Sequence, residues 1–158
     1  MTTNKPTEHI SLGRRRTIQL VTTKQACLVA EPGPRVYGPE CAARVLMGLI
    51  GDEDREHFVV LHLNGSHHIV AAETVSIGTL NQALVHPREV FKAAILSNSQ
   101  SIICGHNHPS GEVTPSDEDR VVARKLMAAG ELLAIPVLDF VVVSNTSFHS
   151  FKEAGRAA

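Results

Sequence analysis

The stretch that decides the fold is SIICGHNHPSGEVTPSDEDRVVARKLMAAGELLAIPVLDFVVVS, residues 101–144. It opens on a short apolar run, Ser101 to Cys104, and leads through a histidine-bearing Pro-Ser-Gly turn into a long amphipathic segment. It closes on a second, strongly apolar run from Ile135 to Ser144. Short apolar runs bounded by turn residues predict buried strands, and the segment between them carries helix signals. Thr114 can cap that helix and Pro115 suits its first position. Acids fill its first turn, where the helix dipole favours negative charge, and Gly130 is expected to end it.

The alternation continues outward. HPREVFKAAILSNS (86–99) predicts a helix with Pro87 near its start and Val90, Phe91, Ala94 and Ile95 as its buried stripe. YGPECAARVLMGLIG (37–51) predicts another, with Pro39 first, Ala42, Val45, Leu46 and Leu49 on one face, and Gly51 as the stop. Between them HFVVLHLN (57–64) predicts a strand, Asn64-Gly65 a turn, and HHIVAAETVSI (67–77) the hairpin partner. SFHSFKEAG (147–155) is a candidate last strand. Residues 1–35 are polar and broken by EPGP, so they predict an arm with one short strand around Thr17 to Val21; residues 36–158 carry the domain. The expected fold class is α/β: a twisted, mixed sheet flanked by about three helices.

Composition narrows the function. A chain of 158 residues suits one domain with a real core. With 43% apolar and 20% charged residues it matches ordinary globular chains rather than disordered ones. Its longest apolar runs are about half the ~20 residues of a membrane span, and the N-terminus lacks the apolar region of a signal peptide. Cys27, Cys41 and Cys104 form no C-x-x-C pair and no even framework, so a reducing, cytoplasmic location is expected. A net charge of -1 supplies no basic field for nucleic acid, and Arg14-Arg15-Arg16 reads as a solvated tail before a DNA contact. Nine histidines against one tyrosine is the unusual ratio, and it matters only if some of them converge.

His106 and His108 do so on paper. Side chains at i and i+2 of extended backbone point the same way, so both imidazoles can approach one ion at about 2.0–2.1 Å. The helix beyond the turn brings back Ser116 and Asp119, three apart and on one face, with Asp119 as the natural third ligand. Two neutral imidazoles and a carboxylate leave a fourth tetrahedral position for water, the open arrangement of catalytic zinc. A base must take that water's proton; Glu56 and Glu73 are both candidates, whereas Glu112 lies in the loop and is expected to be solvated. Other readings fail on spacing. H-E-x-x-H is missing, the deaminase H-x-E with P-C-x-x-C is missing, and the adjacent letters HNH are a coincidence.

H-x-H-P followed at seven residues by S-x-x-D, formed by His106, His108, Ser116 and Asp119, resembles the JAMM (JAB/MPN+) metalloprotease motif. GTLNQALVHPREVFKAAI (78–95) with HNHPSG and PSDED resembles the bacterial RadC family over roughly residues 36 to 155. That resemblance implies a cytidine-deaminase-like JAB/MPN fold, Zn2+ on His106, His108 and Asp119, and a glutamate at the start of the strand after the first helix. It thereby selects Glu56 over Glu73 as the base, makes Ser116 the oxyanion donor, and implies a peptide or isopeptide bond as substrate. Two departures stand out. Full-length members carry an N-terminal helix-hairpin-helix-like region not seen here, so the chain resembles the short stand-alone versions of mobile elements and prophages. Where the family usually has Leu-Asp-His, this chain has Leu138-Asp139-Phe140.

The remaining marked residues have plainer expectations. Cys104 is a small core residue, His67-His68 a solvated pair beside the turn, and His86 a helix-entry residue. Ser110 belongs to the turn, Asp117 and Glu118 to the surface, and Asp139 must find a hydrogen-bond partner in its apolar strand. Two functions compete: a zinc-dependent hydrolase of JAMM type, and a DNA-repair or recombination accessory whose metal site is structural or vestigial. Biological activity left intact by Glu56→Gln, with DNA association abolished by substitutions at Arg14–Arg16, would favour the second.

Overall fold

The computed structural model describes residues 33–78 and 85–156. The expected strand around Thr17 to Val21 lies outside them. The chain order is α1 (Pro39–Ile50), β1 (His57–Leu63), β2 (Ile69–Ile77), α2 (Pro87–Leu96), β3 (Ser101–Asn107), α3 (Asp117–Leu133), β4 (Val137–Val143), β5 (Phe148–Ser150) and α4 (Phe151–Arg156). The strands form one mixed sheet in the order β2-β1-β3-β4-β5. β1 is antiparallel to both β2 and β3, β3 and β4 are parallel, and β5 is antiparallel to β4. The parallel pair needs a crossover, and α3 is that crossover. The expected α/β class is therefore what the chain adopts, a five-stranded mixed sheet flanked by four helices among the described residues, consistent with a JAB/MPN-type fold.

β1 and β3 are buried along nearly their whole length because both of their faces are covered. Phe58 and Val60 pack with Phe91, Cys104, Leu126 and Phe140 beneath α2 and α3, while Val59, Leu61 and Leu63 pack with Leu46 and Ile50 of α1. Each large side chain fully withdrawn from water stabilises by about 1.5–3 kcal/mol before chain entropy is counted. α1 lies so close to β3 that a Cβ at Gly105 would stand 2.5 Å from Leu46 Cδ1 and 3.1 Å from the Val141 carbonyl oxygen.

Several boundaries differ from the sequence expectation for identifiable reasons. The strand expected at Ser101 to Cys104 continues to Asn107. The cap of α3 is Ser116, not Thr114, whose hydroxyl is bound to Glu112 Oε1 at 2.6 Å. Gly130 does not end α3; the returning chain occupies the space of a side chain there, and Ile135 N–H donates to its carbonyl at 2.9 Å as part of the cap that closes the helix at Ala134. The helix runs on to Leu133 and stops at Ala134, in left-handed conformation at φ 55. In α2 the buried stripe is Val90, Phe91 and Ala94, with Ile95 58% exposed. In α1 it is Ala42, Ala43, Leu46 and Ile50, rotated away from Leu49. The final segment forms β5 and then turns into α4.

Candidate metal centre

The longer β3 places His106 in register with Phe58 of β1 and Val142 of β4. Its ring is buried, stacked on Phe58 at 6.4 Å and edge-on to Phe140 at 5.4 Å. Past the strand end, the chain turns where Gly111 N–H donates to the His108 carbonyl at 2.9 Å, and Gly111 holds a φ of 84 that glycine tolerates best. The chain then enters α3 through a reciprocal cap. Ser116 Oγ accepts from Asp119 N–H at 3.1 Å, and Asp119 Oδ2 accepts from Ser116 N–H at 2.7 Å. That cap fixes the Asp119 carboxylate at the helix N-terminus, over the two imidazoles.

The convergence is tight. His106 Nε2 lies 2.9 Å from His108 Nε2 and 3.1 Å from Asp119 Oδ1, and His108 Nε2 lies 3.5 Å from Asp119 Oδ2. Glu56 Oε1 is 3.8 Å from His106 Nε2, and the ligand atoms of all four residues fall within 4.8 Å of one another. A tetrahedral ion with ligands at about 2.0–2.1 Å spaces them about 3.3–3.4 Å apart, so the three closest groups fit a small divalent cation. The hydrogen-bond pattern fits too. His108 Nδ1 donates to the Glu112 carbonyl at 2.7 Å, leaving Nε2 with a free lone pair directed into the cluster. Two imidazole nitrogens and a carboxylate suit zinc and its neighbours rather than calcium or magnesium.

The electrostatics agree with an electron-rich centre. Burial of Asp119 works to raise its pKa, but hydrogen bonds from His106 and, when it is protonated, from His108 outweigh it and hold the carboxyl well below the usual carboxylate range. The hydrogen bond that protonated His108 gives Asp119 raises its pKa above that of an ordinary histidine, with burial opposing.

Glu56 reaches the cluster because Asn107 clasps the loop that carries it. Asn107 Oδ1 accepts from His57 N–H at 2.7 Å, and its Nδ2 donates to the Arg55 carbonyl at 2.9 Å and the Glu53 carbonyl at 3.3 Å. Glu73, the other candidate base, faces His62 instead, with 3.9 Å between Oε2 and Nε2. Cys104 is buried in the core, and burial pushes its thiol pKa up. His67 is exposed, but His68 is half-buried and donates from Nδ1 to the Gly33 carbonyl at 2.7 Å, so only the first of that pair is solvated. Asp139 accepts from Ser150 Oγ at 2.6 Å and from the Phe140 and Lys152 N–H groups, joining β4 to the start of α4. Sequence reasoning missed Asn107 and the Glu112 carbonyl. The first reads as a spacer between histidines, and a main-chain acceptor leaves no residue-type signal.

With the geometry in place, comparison with known proteins becomes specific. Residues 36–156 match the family described as the RadC-like JAB domain. The chain belongs to that family. A UPF0758 protein of Desulforamulus reducens is 45% identical over 130 residues, covering 82% of this chain and 57% of the relative. One from Chlorobium chlorochromatii is 48% identical over 110 residues, covering 70% of this chain and 50% of the relative. This RadC-like chain thus spans about half the length of these curated relatives. Its JAB domain carries the Glu56, His106, His108 and Asp119 cluster within the matched range, and none of its described helices is long and apolar enough to cross a membrane.

Proposed function

We propose that this RadC-like JAB domain is a zinc-dependent hydrolase of peptide or isopeptide bonds. The observation that carries the reading is a fourth group, the Glu56 carboxylate, 3.8 Å from His106 Nε2 and within 4.8 Å of the candidate ligand atoms of His106, His108 and Asp119. His106, His108 and Asp119 would hold the ion. When bound, the ion supplies Lewis acidity and lowers the pKa of an attacking water. Glu56 takes the proton from that water and returns it to the leaving amine. Ser116 Oγ already accepts from Asp119 N–H, so its own hydroxyl proton is free to donate to the oxygen on which negative charge develops. A reducing, cytoplasmic setting with a protein substrate is part of the same reading.

The test is cleavage of a peptide and isopeptide-linked substrate panel by Zn2+-loaded protein, alongside Glu56→Gln. The reading expects chelator-sensitive cleavage that falls by roughly a hundredfold or more in Glu56→Gln with the bound zinc retained. Cleavage unaffected by Glu56→Gln would remove the assigned base and with it this mechanism.

A further inference from the structure

The two imidazoles of the centre are held in different ways. His108 has an acceptor for Nδ1 in the Glu112 carbonyl at 2.7 Å. Nδ1 of His106 is buried and has no hydrogen-bond partner among the described residues. Two aromatic rings pack against that imidazole: Phe58, and the edge of Phe140, the two in contact with each other at 5.8 Å; Phe140 is 1% exposed and packed on Phe151 at 5.1 Å. A neutral imidazole that presents Nε2 to an ion carries its proton on Nδ1. At His106 that proton is then buried without an acceptor among the described residues. In the other tautomer Nε2–H can donate to Asp119 Oδ1 at 3.1 Å or to His108 Nε2 at 2.9 Å. Loading an ion therefore removes a hydrogen bond at one nitrogen and leaves a buried, unpaired donor at the other. His108 meets neither penalty, since its tautomer is already set.

We infer that Phe140 is a positioning residue that sets how tightly the centre holds its ion: its ring packs edge-on against His106, whose Nδ1 lacks the acceptor that His108 has in a carbonyl, and by offering no such acceptor it keeps the ion exchangeable. The inference rests on the cluster being a metal centre. Hydrogen-bond partners at the remote nitrogen of a histidine ligand are worth roughly ten- to a hundredfold in metal affinity. Phe140 withholds one such partner without touching the ion.

The experiment is a titration of the full chain with Zn2+ in competition with a chromophoric chelator, for the parent, Phe140→His and Phe140→Leu. Histidine at this position offers a ring nitrogen to His106 Nδ1 and is expected to tighten binding about tenfold or more, while leucine gives no tightening. Equal affinity in the parent and Phe140→His overturns the inference, as does equal tightening in both variants. A parent that binds no Zn2+ overturns the metal-centre reading beneath it as well, so the two failures are distinguishable. If Phe140→His does not fold, proton NMR of the Zn2+-loaded parent decides. The Nδ1–H resonance of His108 is expected well downfield of that of His106, and two equally downfield resonances overturn the proposal.

Discussion

Asn107 stands between the two histidines and does a different task. Strand alternation turns it away from the ligands, toward the loop before β1, where one amide ties down three main-chain groups of Glu53, Arg55 and His57. Glu56 sits inside that clasp. Removing the amide leaves three part-buried main-chain groups without that partner, at about 1–3 kcal/mol. Asn107→Ala is expected to lose stability in that range by urea denaturation. It should also lose most of any hydrolytic activity while keeping its zinc, because the base shifts and the ligands do not. A variant of parental stability would show that the clasp is dispensable. The convergence of His106, His108 and Asp119 was legible from residue types and intervals, since H-x-H on a strand and S-x-x-D at a helix start dictate directions. Asn107 was not, because its partners lie some fifty residues away in sequence and nothing local marks them. Choosing Glu56 over Glu73 likewise required the family resemblance before the fold showed Glu73 facing His62.

At the scale of elements, helix and strand identity followed from periodicity, whereas ends followed from tertiary contacts. Thr114 and Ser116 are comparable caps in isolation; Glu112 binding the first and Asp119 reciprocating with the second decide between them. Gly130 looks like a terminator until the chain folds back upon it. Gly105 marks another close approach, because α1 and β3 meet there. Gly105→Ala must displace the buried Leu46 side chain and is expected to cost about 1–3 kcal/mol by chemical denaturation. In a Leu46→Ala background the same substitution should cost clearly less, since the colliding methyls are gone. Additive costs in the double variant would show that the clash is not what Gly105 avoids.

Across the whole molecule, the sheet gathers groups from three places into one cluster. Glu56 comes from the loop entering β1, His106 and His108 from the end of β3, and Asp119 from the first turn of α3. The antiparallel β1–β3 pairing brings the first two together, and the α3 crossover returns the third. None of these positions is reached by local structure alone, so an occupied centre should report on the assembled domain. The most direct measurement is zinc content after equilibrium dialysis at one fixed free Zn2+ concentration, for the parent, Glu56→Gln, His106→Ala and Asp119→Asn, each with circular dichroism to establish folding. We predict about one zinc per chain in the parent and in Glu56→Gln, and little in the two ligand variants. Equal zinc content in all four folded proteins would contradict the assignment of His106, His108 and Asp119 as a metal centre.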